Sequence, residues 1–200
     1  MRYADPMVAA LKLPPRRMTV AEFLAWDPDD GSGALWQLRD GEPEMMAPPS
    51  ERHGVIQARL AQLLMNHFDA RDSHCRAITN AGVIPHLRSA HNMLSPDIAV
   101  TCDPDFSTHE VARPVVLIEI LSPSNESETR ANVWAFSTIG SVAEIVVIDS
   151  VRIAAEVLRR KPDGGWPDDP ELLGADDTLT LDAIGFAAPL RAAYRGSGLA

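Results

Sequence analysis

The stretch Pro114-Val115-Val116-Leu117-Ile118-Glu119-Ile120-Leu121 decides the fold. It is apolar at odd and even positions alike and rich in β-branched residues, so neither face of a strand built from it can meet water. Such a strand belongs inside a sheet covered on both sides, and helices packed on the two faces are the usual cover. One charge interrupts the run, Glu119. A carboxylate placed there pays a large desolvation penalty unless it is paired, hydrogen-bonded or bound to a metal. The competing reading is an edge position from which Glu119 reaches solvent; the apolar neighbours on both parities argue against it.

Downstream, Ser122-Pro123-Ser124 ends the strand, and Asn125 with Glu128 has the spacing of a capping box. This predicts a helix carrying Thr129, Val133 and Phe136. Residues 144–149 predict another buried strand and 153–159 its antiparallel neighbour, followed by a Gly164-Gly165 turn. Leu179, Leu181, Ile184, Phe186 and Leu190 suggest a closing strand and helix. Upstream, residues 97–102 read as a strand entered through Ser95-Pro96, and 76–79 and 83–87 as strands around an Asn80-Ala81-Gly82 turn. Before these, Ile56, Leu60, Leu63, Leu64 and Phe68 form an apolar stripe of helical period. Residues 34–39 and 42–46 flank Asp40-Gly41, a hairpin signature. Thr19 with Glu22 caps a short helix that Asp27-Pro28 closes, with a turn over 29–33. Residues 1–17, ending in Pro14-Pro15-Arg16-Arg17, read as a loosely held arm, leaving 18–200 as a single domain. The expected architecture is α/β in the α+β sense: a mixed sheet flanked by helices, preceded by an N-terminal helix and a hairpin.

Composition bounds the function classes. With 46% hydrophobic and 23% charged residues the chain is globular. Its net charge of −10 cuts against coating nucleic acid, because non-specific affinity comes from Lys and Arg releasing counterions from phosphates. Arg16-Arg17 and Arg159-Arg160-Lys161 are the basic clusters, read as solvated surface. Cys75 and Cys102 are the two cysteines; they make no metal knuckle and no disulfide framework, which points to a reducing cytoplasm. No apolar run is long enough for a signal peptide or a membrane span.

Asp97 is the second acid of interest. It opens Ile98-Ala99-Val100, a strand entering the core, and beside Glu119 it would complete a hard-oxygen site suited to Mg²⁺ or Mn²⁺. Two carboxylates, a strand carbonyl and waters can hold a metal that activates water and steadies a phosphodiester transition state. His53 shares the face of Ile56 and Leu60 in the first turn of the long helix. The other histidines, His67, His74, His86, His91 and His109, show no metal-ligand spacing.

Leu38-Arg39-Asp40-Gly41-Glu42, Pro48-Pro49-Ser50 with His53, Ser95-Pro96-Asp97, and Glu119-Ile120-Leu121-Ser122-Pro123-Ser124 occur here in that order. Together they resemble the Uma-two family of putative restriction endonucleases, over about residues 18–195. The resemblance implies a PD-(D/E)XK restriction-endonuclease-like core in which Asp97 and Glu119 bind the metal and the Ile120 carbonyl is a third ligand. It places His53 near the site, to orient water or bind phosphate; a histidine satisfied locally at a helix start is the alternative. It also implies DNA as a transient partner, and a homodimer would suit cleavage of both strands. Three positions depart from the family pattern. Leu121 stands where the E-x-K motif has lysine, and Asn132 lies nearest the place where family members supply a lysine from the following helix. Gln37 replaces the usual Glu before the Asp-Gly turn. Arg130 could approach the site, but a guanidinium is a poor proton acceptor. Two readings stay open: a metal-dependent endonuclease acting on DNA, and a catalytically weakened nuclease fold serving as a DNA- or protein-binding regulatory module.

Overall fold

The computed structural model describes residues 17–27, 33–123 and 125–200. Residues 1–16 of the expected 1–17 arm, most of the expected turn at 29–33, and Ser124 lie outside them. Helix α1 (Val20–Leu24) opens at Thr19, whose side chain accepts from the Glu22 N–H while Glu22 returns the bond, the reciprocal capping box its spacing predicts. Strands β1 (Trp36–Arg39) and β2 (Glu42–Met45) follow as a separate hairpin. Asp40 (φ 49°) and Gly41 (φ 82°) form its turn. Positive φ at both central positions matches the right-handed strand twist, and glycine adopts it without steric cost.

Next come α2 (Glu51–Asp69), β3 (Arg76–Thr79), β4 (Ile98–Thr101), β5 (Pro114–Leu121), α3 (Glu126–Phe136), β6 (Glu144–Asp149), β7 (Ala155–Arg159) and β8 (Glu171–Leu173). Strands β3 to β8 form one six-stranded sheet in sequence order, in which β5 and β6 are parallel and the other neighbours antiparallel. The crossover between β5 and β6 is α3, as a parallel pair requires. Strand β5 is interior, with β4 on one edge and β6 on the other.

Alternation along β5 separates two cores. Val116, Ile118 and Ile120 face α2, meeting Ile56, Leu60, Leu64 and Phe68. Leu117 faces the other way, toward Ala135 and Phe136 of α3. Each fully buried side chain of this kind contributes about 1.5–3 kcal/mol. Glu119 has the parity of Leu117, so it enters the α3 side of the sheet. The hairpin is seated by Leu38, which is buried with Met18 and Met93 and exchanges backbone bonds with Met93 (2.8 and 2.9 Å). With Leu38 turned inward, Gln37 and Arg39 share the opposite face, toward α3.

Several expectations are corrected. Residues 83–87 form no strand; Val83 makes a single bridge to Leu94, because Pro85 has no N–H to continue a ladder. The closing strand and helix are instead a hairpin, β9 (Thr178–Leu181) and β10 (Phe186–Pro189), with short 3₁₀ segments at Asp182–Ile184 and Leu190–Tyr194. Asn125 precedes α3 without capping it; its Oδ1 accepts from the Ser122 N–H at 2.7 Å, and Glu128 is engaged elsewhere. Cys75 and Cys102 are a disulfide. The β3–β4 register pairs Arg76 with Thr101 and so sets the two cysteines opposite each other one step further on. They therefore no longer argue for a reducing compartment. Among the described residues no helix is long and apolar enough to cross a membrane.

Candidate functional site

Asp97 sits immediately before β4, where the β4–β5 ladder ends. Its carboxylate takes the place of the next ladder partner: Oδ2 accepts from the Ile120 N–H at 2.6 Å. Its Oδ1 lies 2.8 Å from His53 Nε2. An ionised carboxylate only accepts, so Nε2 carries the proton in that contact. The main chain is held as well: Gln57 Nε2 donates to the Asp97 carbonyl at 2.8 Å and to Asn80 Oδ1 at 3.0 Å. His53 and Gln57 are one turn apart on α2, on the face that packs against the sheet, and both are buried. His53 lies in the first turn, where Ser50 Oγ accepts from its backbone N–H.

Glu119 is 6% exposed. Burial raises its carboxyl well above the ordinary range, and the nearby charge of Asp97 pushes it further. Hydrogen bonds from the Asn132 side chain and the Asp97 backbone pull the other way, and Glu128 adds a small upward push. Asn132 Nδ2 donates to Glu119 Oε1 at 2.8 Å. Asn132 Oδ1 accepts from Arg39 Nη2 at 2.9 Å. Arg39 in turn donates from Nε to Glu44 Oε2 at 2.9 Å and lies 3.3 Å from Glu128 Oε1. Gln37 Nε2 donates to the same two acids, at 3.2 Å to Glu44 and 2.8 Å to Glu128.

The Ile120 carbonyl can be placed from the ladder. Val115 O and Leu121 O accept from Ala143 N and Ser150 N on the β6 side. Even-numbered carbonyls of β5 therefore face the β4 edge. The Ile120 N–H already points there, to Asp97, so its carbonyl opens to the same edge beyond the end of β4. The arrangement thus gathers two carboxylates and a strand carbonyl at one end of β5. His53 and Asp97 keep 11% and 13% of their side-chain surface open, so the cluster is shielded yet reachable.

The donor set fits a hard divalent cation. Two acids are drawn together in a buried place, and among the described residues no cationic side chain is bonded directly to Glu119. A divalent cation would offset the burial penalty and the repulsion from Asp97 that together raise its carboxyl. Among the described residues no three His, Cys, Asp and Glu side chains converge as a metal cluster, so the fit rests on two carboxylates with the main-chain carbonyl.

The structure brings Asp97, Glu119, His53, Asn132 and the Ile120 backbone into one place. Glu119 does not reach solvent at a sheet edge. Arg130 does not approach; it pairs with both carboxylate oxygens of Glu156. Leu121 lines a neighbouring surface cavity of about 540 Å³ together with Ser122, Arg130 and Leu172. Two contributors were missed from the sequence. Gln57 could have been found as a polar residue one turn from His53 on the apolar face. Arg39 could have been found as the same-face neighbour of Gln37 on a two-residue period.

The Uma2 family, described as "Putative restriction endonuclease", matches residues 20–191. An uncharacterized protein of Synechocystis sp. is 28% identical over 185 residues, covering 90% of this chain and 93% of its own length. The crystal structure of a putative nuclease belonging to DUF820 from Anabaena variabilis superposes with a TM-score of 0.69. That match covers 89% of this chain and 98% of the other at 17% identity. At that identity the likeness establishes a shared fold.

Proposed function

This chain belongs to the Uma2 family of putative restriction endonucleases, and from that premise we propose that it is a metal-dependent endonuclease hydrolysing DNA phosphodiester bonds. The observation that carries the reading is the pairing of Asp97 with Glu119 beside the Ile120 backbone. These three would hold Mg²⁺ or Mn²⁺. When bound, the ion would supply charge to a phosphodiester and acidify a water.

The chain's own residues prepare that place. Asp97 is held at both oxygens, by the His53 ring and the Ile120 N–H, and each oxygen keeps a further lone pair free. His53 fixes the direction in which Asp97 points, and Gln57 fixes its backbone. Asn132 Nδ2 and the Asp97 backbone N–H hold the Glu119 carboxylate in place. The raised carboxyl of Glu119 means that proton and cation compete for the same oxygens, so metal affinity rises with pH. Local contacts, not the overall charge of −10, would bring DNA to the site.

A second reading is favoured by Asn132. A neutral amide in contact with Glu119 brings no charge to an attacking water, which fits a weakened nuclease fold acting as a DNA- or protein-binding module. Nicking of supercoiled plasmid with Mg²⁺ or Mn²⁺, by wild type and Asp97→Ala, separates the two. Cleavage by wild type alone is expected. Intact Mn²⁺ binding without cleavage by either protein would favour the binding module. Equal cleavage by both would remove Asp97 from the chemistry.

A further inference from the structure

We propose that Arg39 is a positioning residue of this site, acting on Glu119 through Asn132; the proposal rests on the reading of Asp97 and Glu119 as the metal-holding pair. The chain has two lysines. Lys12 lies outside the described residues, and Lys161 follows β7, its backbone bonded to Gly165. Among the described residues the cation linked to Glu119 is an arginine, and it comes from the hairpin.

The link has a defined sense. A guanidinium only donates and an ionised carboxylate only accepts, so an asparagine between them satisfies both in a single orientation. Arg39 Nη2 takes Oδ1, which turns Nδ2 toward Glu119 Oε1. Without Arg39 the amide loses that constraint, and the flipped form sets Oδ1 against the carboxylate. Glu44 and Glu128 hold the guanidinium from the other side, and Gln37 bonds both of these acids. Four side chains from β1, β2 and α3 thus aim one amide at Glu119.

Seating the hairpin does not require Arg39. Leu38 is fully buried, and backbone bonds join Leu38 to Met93 and Gly41 to His91. The Arg39 side chain lies on the opposite face of β1, toward the site. A guanidinium stays protonated, so it supplies direction and field rather than proton transfer.

Two readouts test this. In metal-free, ¹⁵N-labelled protein, the Asn132 side-chain NH₂ should exchange slowly with solvent in wild type and at least about tenfold faster in Arg39→Ala. Second, Mn²⁺ affinity measured by electron paramagnetic resonance should fall about tenfold in Arg39→Ala and in Asn132→Ala, with the double variant no weaker than either. Arg39→Lys should recover most of that affinity, since an ammonium can also donate to Oδ1. If Arg39→Ala fails to fold, Arg39→Met, which has no donor for Oδ1, gives the same contrast with less lost volume. Wild-type amide exchange and Mn²⁺ affinity in the Arg39 variants, or full additivity with Asn132→Ala, would overturn the proposal. Should wild type bind no Mn²⁺, the metal-site reading fails, while the amide exchange still judges the link from Arg39 to Asn132.

Discussion

Glu119 and Glu144 lie on adjacent parallel strands, are 6% and 2% exposed, and have opposite surroundings. Glu144 is directly across the β6–β7 ladder from Arg159, whose Nε lies 3.1 Å from its Oε1. It also accepts from the backbone N–H groups of Asp182 and Ala183, each at 3.0 Å. Its charge is balanced, both its oxygens accept hydrogen bonds, and it clamps the 3₁₀ segment between β9 and β10. Glu119 faces another acid, and the side-chain donor on it is a neutral amide. One residue type at similar burial is thus used once as a clamp and once in the place proposed to hold a metal. The difference is whether the surroundings complete the charge or leave it for a ligand to complete.

The largest expected effect concerns activity. Glu119→Gln and Asp97→Ala should each lower metal-dependent nicking by at least about a hundredfold, whereas Glu144→Gln should retain wild-type nicking per folded molecule. Nicking that tracks Glu144 as strongly as Glu119 would break the comparison. Next in size is stability. Glu144→Gln should cost about 3 kcal/mol in urea unfolding, because Arg159 and two backbone donors lose their anionic partner. A loss below about 1 kcal/mol would mean that Glu171, Thr180 and Asp182 suffice for Arg159.

A smaller effect, of opposite sign, is expected at Glu119. Its folded carboxyl holds a proton to higher pH than the unfolded one, whose ordinary value is 4.5. Between those two points the native state binds more protons, so the Glu119 contribution falls as pH rises and levels off above the folded value. Metal-free Glu119→Gln should therefore match wild type near pH 4 and be the more stable protein at pH 8. The gain should grow as pH rises from 4 to 8. Denaturant unfolding at the two pH values measures it; a Glu119→Gln variant less stable at pH 8 would show that its charge is compensated after all. Smallest is a surface control. Asp176, paired with Arg191 at 3.2 Å but 93% exposed, should change stability by less than about 0.5 kcal/mol when replaced by Ala.

The two glutamates also differ in how much of them could be read beforehand. Glu119 announces itself as one charge in an apolar run, and Asp97 as an acid opening a core strand. Glu144 opens a buried strand and gives no local sign that it is covered. The partner of each glutamate is a matter of register: Arg159 falls opposite Glu144 only because β7 turns back at Ser150 through Ala154. Pro85 carried a legible warning against a strand at 83–87. Asn125 and Glu128 had the right spacing for a cap, but Ser122 and the Gln37–Arg39 pair compete for the same atoms.

By itself the sequence determined the features that local period and backbone chemistry dictate. The doubly covered β5, the apolar stripe of α2, the Asp40-Gly41 turn and the Thr19 cap are of this kind, since each depends on residues within a turn or two of one another. Only the tertiary structure decided that Cys75 meets Cys102, that Arg130 turns to Glu156, and that Arg39 reaches Asn132 across 93 residues of chain. Those contacts depend on strand register and on where the hairpin docks. Both are set by packing of the whole core, and no local pattern encodes them.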